Sequence, residues 1–330
     1  MSAWRALAAA FLLLALPLSA VAAAENLLEF RGQVTLPPHV LKPRETLSVT
    51  LLAVHSPFRR HTRADFKGRF RFRKLKSGSY VLSIFIPRRG EIQETVEITK
   101  SFSGPKGRVE KNFVFDEERL QAASKADARD VVSVRALSIP NNARREYTKA
   151  QTRLGRQDAD GAIGHLQKAV KLAPQFAEAW NNLGTIYFQK KEFSNAERSF
   201  RMALEQDPES FEALVNLGGV LLAQKRTEEA LAISLRAHSE RPQDALANAQ
   251  LGLCYFLLGD DKHAETFLRR TKEIDPAHFL TPEIPLAEIY VRRSDTAAAL
   301  QELHDFLRVR PDSPQTPKVR AMIEKLQNGR

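Results

Sequence analysis

The feature that most restricts the fold of this chain is a recurrence of about 34 residues through its second half. Trp180, Leu183, Gly184 and Tyr187 are followed by Ala196, Phe200, Ala203 and Pro208. One period later come Leu214, Leu217, Gly218, Leu221, Ala230, Ala237 and Pro242, and then Leu251, Gly252, Tyr255, Ala264, Leu268 and Pro276. After a slip of one residue the pattern returns as Leu286, Ala287, Tyr290, Ala299, Leu303, Phe306 and Pro311, and Ala162, Leu166, Ala169 and Pro174 mark a degenerate unit upstream. A period of this length is one helix–turn–helix unit that cannot bury its own apolar face, so successive units must stack. The small residue of the first helix and the alanine of the second let the two approach closely. Trp180, Tyr187 and Phe200 fill the space between pairs, and each proline stops the second helix.

These residues resemble the tetratricopeptide repeat, in five units at 143–176, 177–210, 211–244, 245–278 and 280–313, followed by a capping helix and tail at 314–330. The resemblance implies an α-solenoid with a concave groove lined by first-helix positions. Carried onto this sequence, those positions include Tyr147, Asn181, Asn182, Thr185, Phe188, Asn216, Leu222, Leu246, Ala249, Leu253, Phe256 and Val291. Asn182 and Asn216 resemble asparagines that bond an extended peptide backbone in family members. The basic clamp that some members use for a terminal carboxylate is replaced here by Glu178 and Glu212. The lining turns apolar toward the fourth unit, which points to an apolar peptide or partner helix as ligand. The competing reading has Phe188, Leu253 and Phe256 packed against the linker or a neighbouring turn of the superhelix.

Residues 25–117 read differently. Leu47–Leu51, parts of Tyr80–Ile86 and Val96–Ile98 alternate, and Leu36-Pro37-Pro38, Asp65–Gly68, Lys76–Gly78, Pro87–Gly90 and Gly104-Pro105 separate them. Short strands broken at such intervals predict a sandwich of antiparallel sheets. Phe30–Val34, Asp65-x-x-Gly68-x-Phe70-x-Phe72 and Leu75-x-x-Gly78-x-Tyr80 resemble the carboxypeptidase regulatory-like family. That resemblance implies a transthyretin-like Greek-key sandwich with a structural or adhesive role. The chain is therefore expected to be multi-domain, all-β then all-α, with residues 118–142 as linker.

Charge separates the two regions. Residues 25–117 hold 18 Lys and Arg against 10 Asp and Glu, whereas 143–313 hold 23 against 25. Arg69-Phe70-Arg71-Phe72-Arg73 alternates with the strand period, so its arginines share one sheet face and its phenylalanines the other. With Arg59, Arg60, Arg63, Lys67, Lys74 and Lys76 nearby they form either a solvated face or a surface for anionic lipid, glycan or acidic protein. His39, His55 and His61 have no metal-ligand spacing and read as surface histidines.

Arg5, the apolar run Ala6–Leu16, Pro17 and the small residues Ala22–Ala24 form the three parts of an export signal at 1–24, with an uncleaved anchor as the rival reading. No cysteine lies near the cleavage point for lipid attachment. The one cysteine, Cys254, sits in the apolar run Leu251–Phe256 and reads as a buried, inert thiol; alone, it excludes a disulfide framework. Hydrolase, zinc-protease, phosphate-loop and dinucleotide signatures are missing, so no catalytic, cofactor or metal residues are assigned and nucleic acid is not expected. The sequence thus supports an exported, non-catalytic scaffold holding a protein partner in the groove. The alternative is an envelope- or glycan-attachment module that uses the basic sandwich face, and an enzyme hidden in the sandwich comes last.

Overall fold

The computed structural model describes residues 27–42, 45–54, 59–104, 106–120, 139–156 and 158–328. The expected export signal, most of the expected linker and His55 lie outside these residues. The chain divides into two compact units, one running through Glu192 and including Glu205–Pro208, the other comprising Phe193–Leu204 and Glu209–Arg330.

The first unit opens with seven strands: β1 (Leu28–Thr35), β2 (Ser48–Ala53), β3 (Arg59–Arg63), β4 (Arg69–Leu75), β5 (Gly78–Ile86), β6 (Gly90–Ile98) and β7 (Arg108–Val114). They form a three-stranded sheet in the order β4-β1-β7 and a four-stranded sheet in the order β3-β2-β5-β6. The antiparallel expectation fails for one pair, because β1 and β7 run parallel. After β6 the chain passes through residues 99–107 and enters beside the start of β1, where Glu29 N–H donates to the Gly107 carbonyl at 2.9 Å. Side chains from both sheets share one core that includes Phe30, Phe70, Phe72, Leu82, Ile84 and Phe113, and it reaches as far as Leu120. The Phe70 ring lies over Gly32, where a Cβ would fall 2.1 Å from Phe70 Cζ, so that strand position has room only for glycine. Tyr80 is buried and its hydroxyl donates to the Lys76 carbonyl at 2.8 Å.

Three helices complete this unit: α1 (Asn141–Gly155), α2 (Ala159–Leu172) and α3 (Ala177–Gln189). Ala143, Ala150, Ala162, Leu166, Ala169 and Leu183 form their core, with Trp180 and Tyr187 half-buried against it. Strand β3 lies against α1.

The second unit contains α4 (Phe193–Gln206) as far as Leu204, then α5 (Phe211–Ala223), α6 (Thr227–Glu240), α7 (Ala245–Leu258), α8 (Asp261–Ile274), α9 (Glu283–Arg292), α10 (Thr296–Val309) and α11 (Thr316–Gln327). The pairs α5/α6, α7/α8 and α9/α10 are antiparallel neighbours in a stacked helical solenoid. Gly252 shows why the repeat needs a small residue. A Cβ there would meet Leu268 Cγ at 2.6 Å and the Leu268 backbone nitrogen at 3.1 Å. Asp244, Asp260 and Asp295 cap α7, α8 and α10 by accepting from the N–H groups of Ala247, His263 and Ala298 at 2.9–3.1 Å.

The slipped unit carries a buried ionic knot. Arg310 pairs with Glu283 at 3.2 Å and also donates to the His278 carbonyl, and all three residues are buried. Helix α11 closes the stack by burying Val319 and Ile323 against the cluster containing Leu303 and Phe306.

Candidate functional site

In the first unit, the predicted groove positions are partly committed to each other. Asn182 on α3 donates its amide to the Tyr147 hydroxyl on α1 at 2.7 Å, and the Tyr147 ring sits 4.9 Å from Phe176. Burial pushes the Tyr147 phenol up. Thr185 donates back to the Asn181 carbonyl at 3.0 Å, as a hydroxyl within a helix does. Phe188, at the end of α3, is 37% exposed.

In the second unit, Leu222, Ala249, Leu253 and Phe256 are buried, whereas Asn216, Leu246 and Val291 are half-buried. The Phe256 ring belongs to the core shared with Ile284, Leu286 and Tyr290, and the Arg292 guanidinium lies over it at 4.8 Å. Asp261 holds Arg292 in place through a hydrogen bond of 2.9 Å to Nε. Arg292 is therefore a lid over the apolar position that the sequence reading placed in the groove.

Sequence reasoning missed Gln250. It is buried and donates to the Val215 carbonyl at 2.7 Å. Gln250 stands 35 residues after Val215, the separation that also relates Asn182 to Tyr147. Asn182 and Gln250 thus each brace one first helix against the preceding one. The signal was legible, because Asn182, Asn216 and Gln250 recur at the repeat period. Cys254 is fully buried, and burial pushes its thiol up to about 12, far from a reactive thiolate. A pocket of about 370 Å³ on this unit is lined by His238, Phe267, Arg270 and Glu273 among others. Its charged groups are spent on each other, with Arg270 and Glu273 paired at 2.7 Å.

The basic patch wraps the β3–β4 edge of the sandwich. Arg69, Arg71 and Arg73 face outward on β4 while Phe70 and Phe72 are buried. Arg59 and Arg63 are exposed on β3, with His61 between them. Arg60 reaches across the edge to donate to the Arg73 carbonyl at 2.6 Å, and Lys67 sits in the turn joining the strands. The sequence reading missed Arg31 and Arg108, which pairing of β1 with β4 and β7 brings onto the same face. Arg31, Arg71, Arg73 and Arg108 lie 3.0–4.0 Å from the one carboxylate of Glu29. Burial raises the Glu29 carboxyl, but the Arg31 hydrogen bond and the charges of Arg31, Arg108 and Arg73 outweigh it and hold the group below its usual range. Arg31 stands directly opposite Arg71, so the face keeps an excess of positive charge. His39 is exposed beside Glu117 at 3.2 Å. Among the described residues no group of three or more metal-ligating side chains converges.

Residues 155–275 match the family model described as the cilia and flagella-associated protein 70 middle TPR-like domain. The chain is 31% identical over 119 residues to the BBSome complex member BBS4 homolog of Drosophila melanogaster, covering 36% of this chain and 24% of that protein. It is 27% identical over 124 residues to the type IV pilus assembly protein PilF of Pseudomonas aeruginosa, covering 37% of this chain and 49% of that one. The chain thus spans less than half the length of either relative. Among solved structures, PilW, a type IV pilus biogenesis factor, superposes with a TM-score of 0.51 at 23% identity, over 57% of this chain and 87% of that one. The helical part of the chain is a TPR-like solenoid, preceded by a strand-rich region in two sheets.

Proposed function

We propose that the chain is a non-catalytic, exported scaffold that holds a protein partner on the first-helix faces of its repeats. The half-exposed apolar side chains of the second unit, Leu246 on α7 and Val291 on α9, carry this reading, since they offer anchors for an apolar peptide or partner helix beside a rigid core. The relatives are named as a complex member and an assembly protein, which agrees with a scaffold. Export rests on residues 1–24 and on the pilus-related names; no described helix is long and apolar enough to cross a membrane. The two sheets and the buried Tyr80 support a carboxypeptidase regulatory-like, Greek-key sandwich at 25–117, joined by a linker to the repeats.

The test is site-specific photocrosslinking in native envelope, with the reactive side chain at position 246 or 291 and a control at Leu235, which is 44% exposed on α6. One common protein captured from 246 and 291 but not from 235 is the expected result. Equal capture at all three, or none at the first two, would overturn the groove. Sequencing the mature amino terminus checks export, with Glu25 expected first.

A second reading rests on the arginine face around Glu29: the sandwich attaches to an anionic surface, through charge. Its attachment should fall steeply as salt rises, whereas apolar binding to the repeats should not.

A further inference from the structure

We infer that the Asp65–Gly68 turn of the sandwich is a membrane-contact element, with the Phe66 ring entering the headgroup–acyl boundary of an anionic bilayer while Arg63, Lys67 and the β4 arginines meet its phosphates. This rests on the attachment reading and gives it one ligand. Phe66 is 88% exposed, more than any other large apolar side chain among the described residues. Nothing in the turn requires an aromatic there. Asp65 Oδ1 accepts from the Lys67 and Arg69 N–H groups at 2.9 Å, and Oδ2 accepts from Arg69 Nε at 2.8 Å. Gly68 adopts a φ of 74°, accepts from Val34 N–H at 2.9 Å, and has no room for a Cβ, which would lie 2.1 Å from the Val34 carbonyl oxygen. The turn is thus fixed by Asp65 and Gly68, and its tip position accepts any residue; a polar one would be favoured at such exposure.

The surroundings of the tip match an interface. The Gly68 bond to Val34 places the turn at the end of β1, where Thr35 is in register with Val114, an outward side chain 71% exposed. On the other sheet Ser48 lies between Arg63 and Phe85, and Phe85 is 43% exposed. At this end Val114 is exposed on the outer face of the three-stranded sheet and Phe85 on that of the four-stranded sheet, while Phe66 lies in the turn that joins the two sheets. Arg63 and Lys67 have no carboxylate within ion-pair distance among the described residues, and Lys67 Nζ lies 5.7 Å from the Phe66 ring centroid. A soluble polyanion has no use for the apolar tip, and a protein partner would need a dedicated socket for a convex turn. A bilayer accepts a protruding ring at any lateral position and adds attraction for each nearby cation. The outer face of the four-stranded sheet is less available, since Ser83 and Thr95 on it are buried.

The test is co-sedimentation of the full chain with phosphatidylcholine vesicles containing one-third phosphatidylglycerol, against pure phosphatidylcholine. Phe66→Ser should weaken partitioning about tenfold, and Arg63→Glu or Lys67→Glu about fivefold each, with unchanged far-ultraviolet dichroism and melting. Phe66→Trp should show a blue-shifted emission quenched by brominated acyl chains. Full binding by Phe66→Ser, or an unquenched Phe66→Trp, would overturn the inference while leaving charge-driven attachment standing. Binding to heparin but to no vesicle would do the same. Binding to envelope fragments that protease treatment abolishes would assign the turn to a protein partner instead, and absence of binding to vesicles and heparin alike would remove the attachment reading as well.

Discussion

Asn182 and Gln250 in the helices and Arg71 and Arg73 in the sandwich are all polar residues repeated at a structural period, yet they face opposite ways. The amides recur with the helical repeat and turn inward, each bonding a group 35 residues earlier. Arg71 and Arg73 recur with the strand period and turn outward, crowding around the Glu29 carboxylate. Periodicity reveals on which element and face a residue sits; only the long-range partner decides whether its polar group is consumed by the fold or left for a ligand. The helical region uses its polar groups to hold units in register, and the sandwich keeps its charges at the surface.

The difference can be broken most forcefully at the buried knot of the slipped repeat. Glu283→Ala strands the Arg310 guanidinium in the core and should cost about 3–5 kcal/mol in urea unfolding. Glu283→Leu combined with Arg310→Met should recover most of that loss, because the desolvated pair contributes little net stability. A smaller effect is expected at Gly252, where valine would press on Leu268 and lower stability by about 1–3 kcal/mol. Retention of the wild-type melting midpoint in that variant would mean that α7 and α8 are less closely packed than the 2.6 Å approach requires.

Next comes pH. Burial, aided by the Arg310 charge, lowers the His278 imidazole from its ordinary 6.5 to about 3. Between those values the unfolded chain binds a proton that the folded chain refuses. This contribution to stability is intact above pH 6.5; below that it declines by about 1.4 kcal/mol per pH unit until the folded imidazole also titrates. His278→Asn should remove this component of the slope, as unfolding measured across the acid range would show. The smallest effect belongs to the sandwich face. Arg71→Thr relieves the like-charge pair with Arg31 and should leave stability equal or raise it by about 0.2–1 kcal/mol; a clear loss would mean that the arginine lattice is structural.

Much of the helical fold was legible because each signature residue answers a local packing demand: Gly252 cannot be larger, and Ala264 and Phe200 are fully or almost fully buried. Strand β4 was legible for a similar reason, its period separating arginines from phenylalanines. The candidate sites were less so. Asn182 looks available until Tyr147 is placed beside it, and Phe256 looks like groove lining until Arg292 and Asp261 close over it. Arg31 and Arg108 joined the patch only through strand pairings spanning most of the domain, including the parallel pairing of β1 with β7 that alternation alone cannot disclose. Local spacing carries the elements, and contacts distant in sequence decide what their surfaces can do.

That parallel pairing has a consequence for biosynthesis. Because β1 (Leu28–Thr35) lies between β4 and β7 (Arg108–Val114), the three-stranded sheet closes only when its last-made strand returns to its first. A chain growing from its amino end cannot complete this sheet until about 80 residues after β1 have emerged. Nascent sandwich thus stays open until its last strand is made.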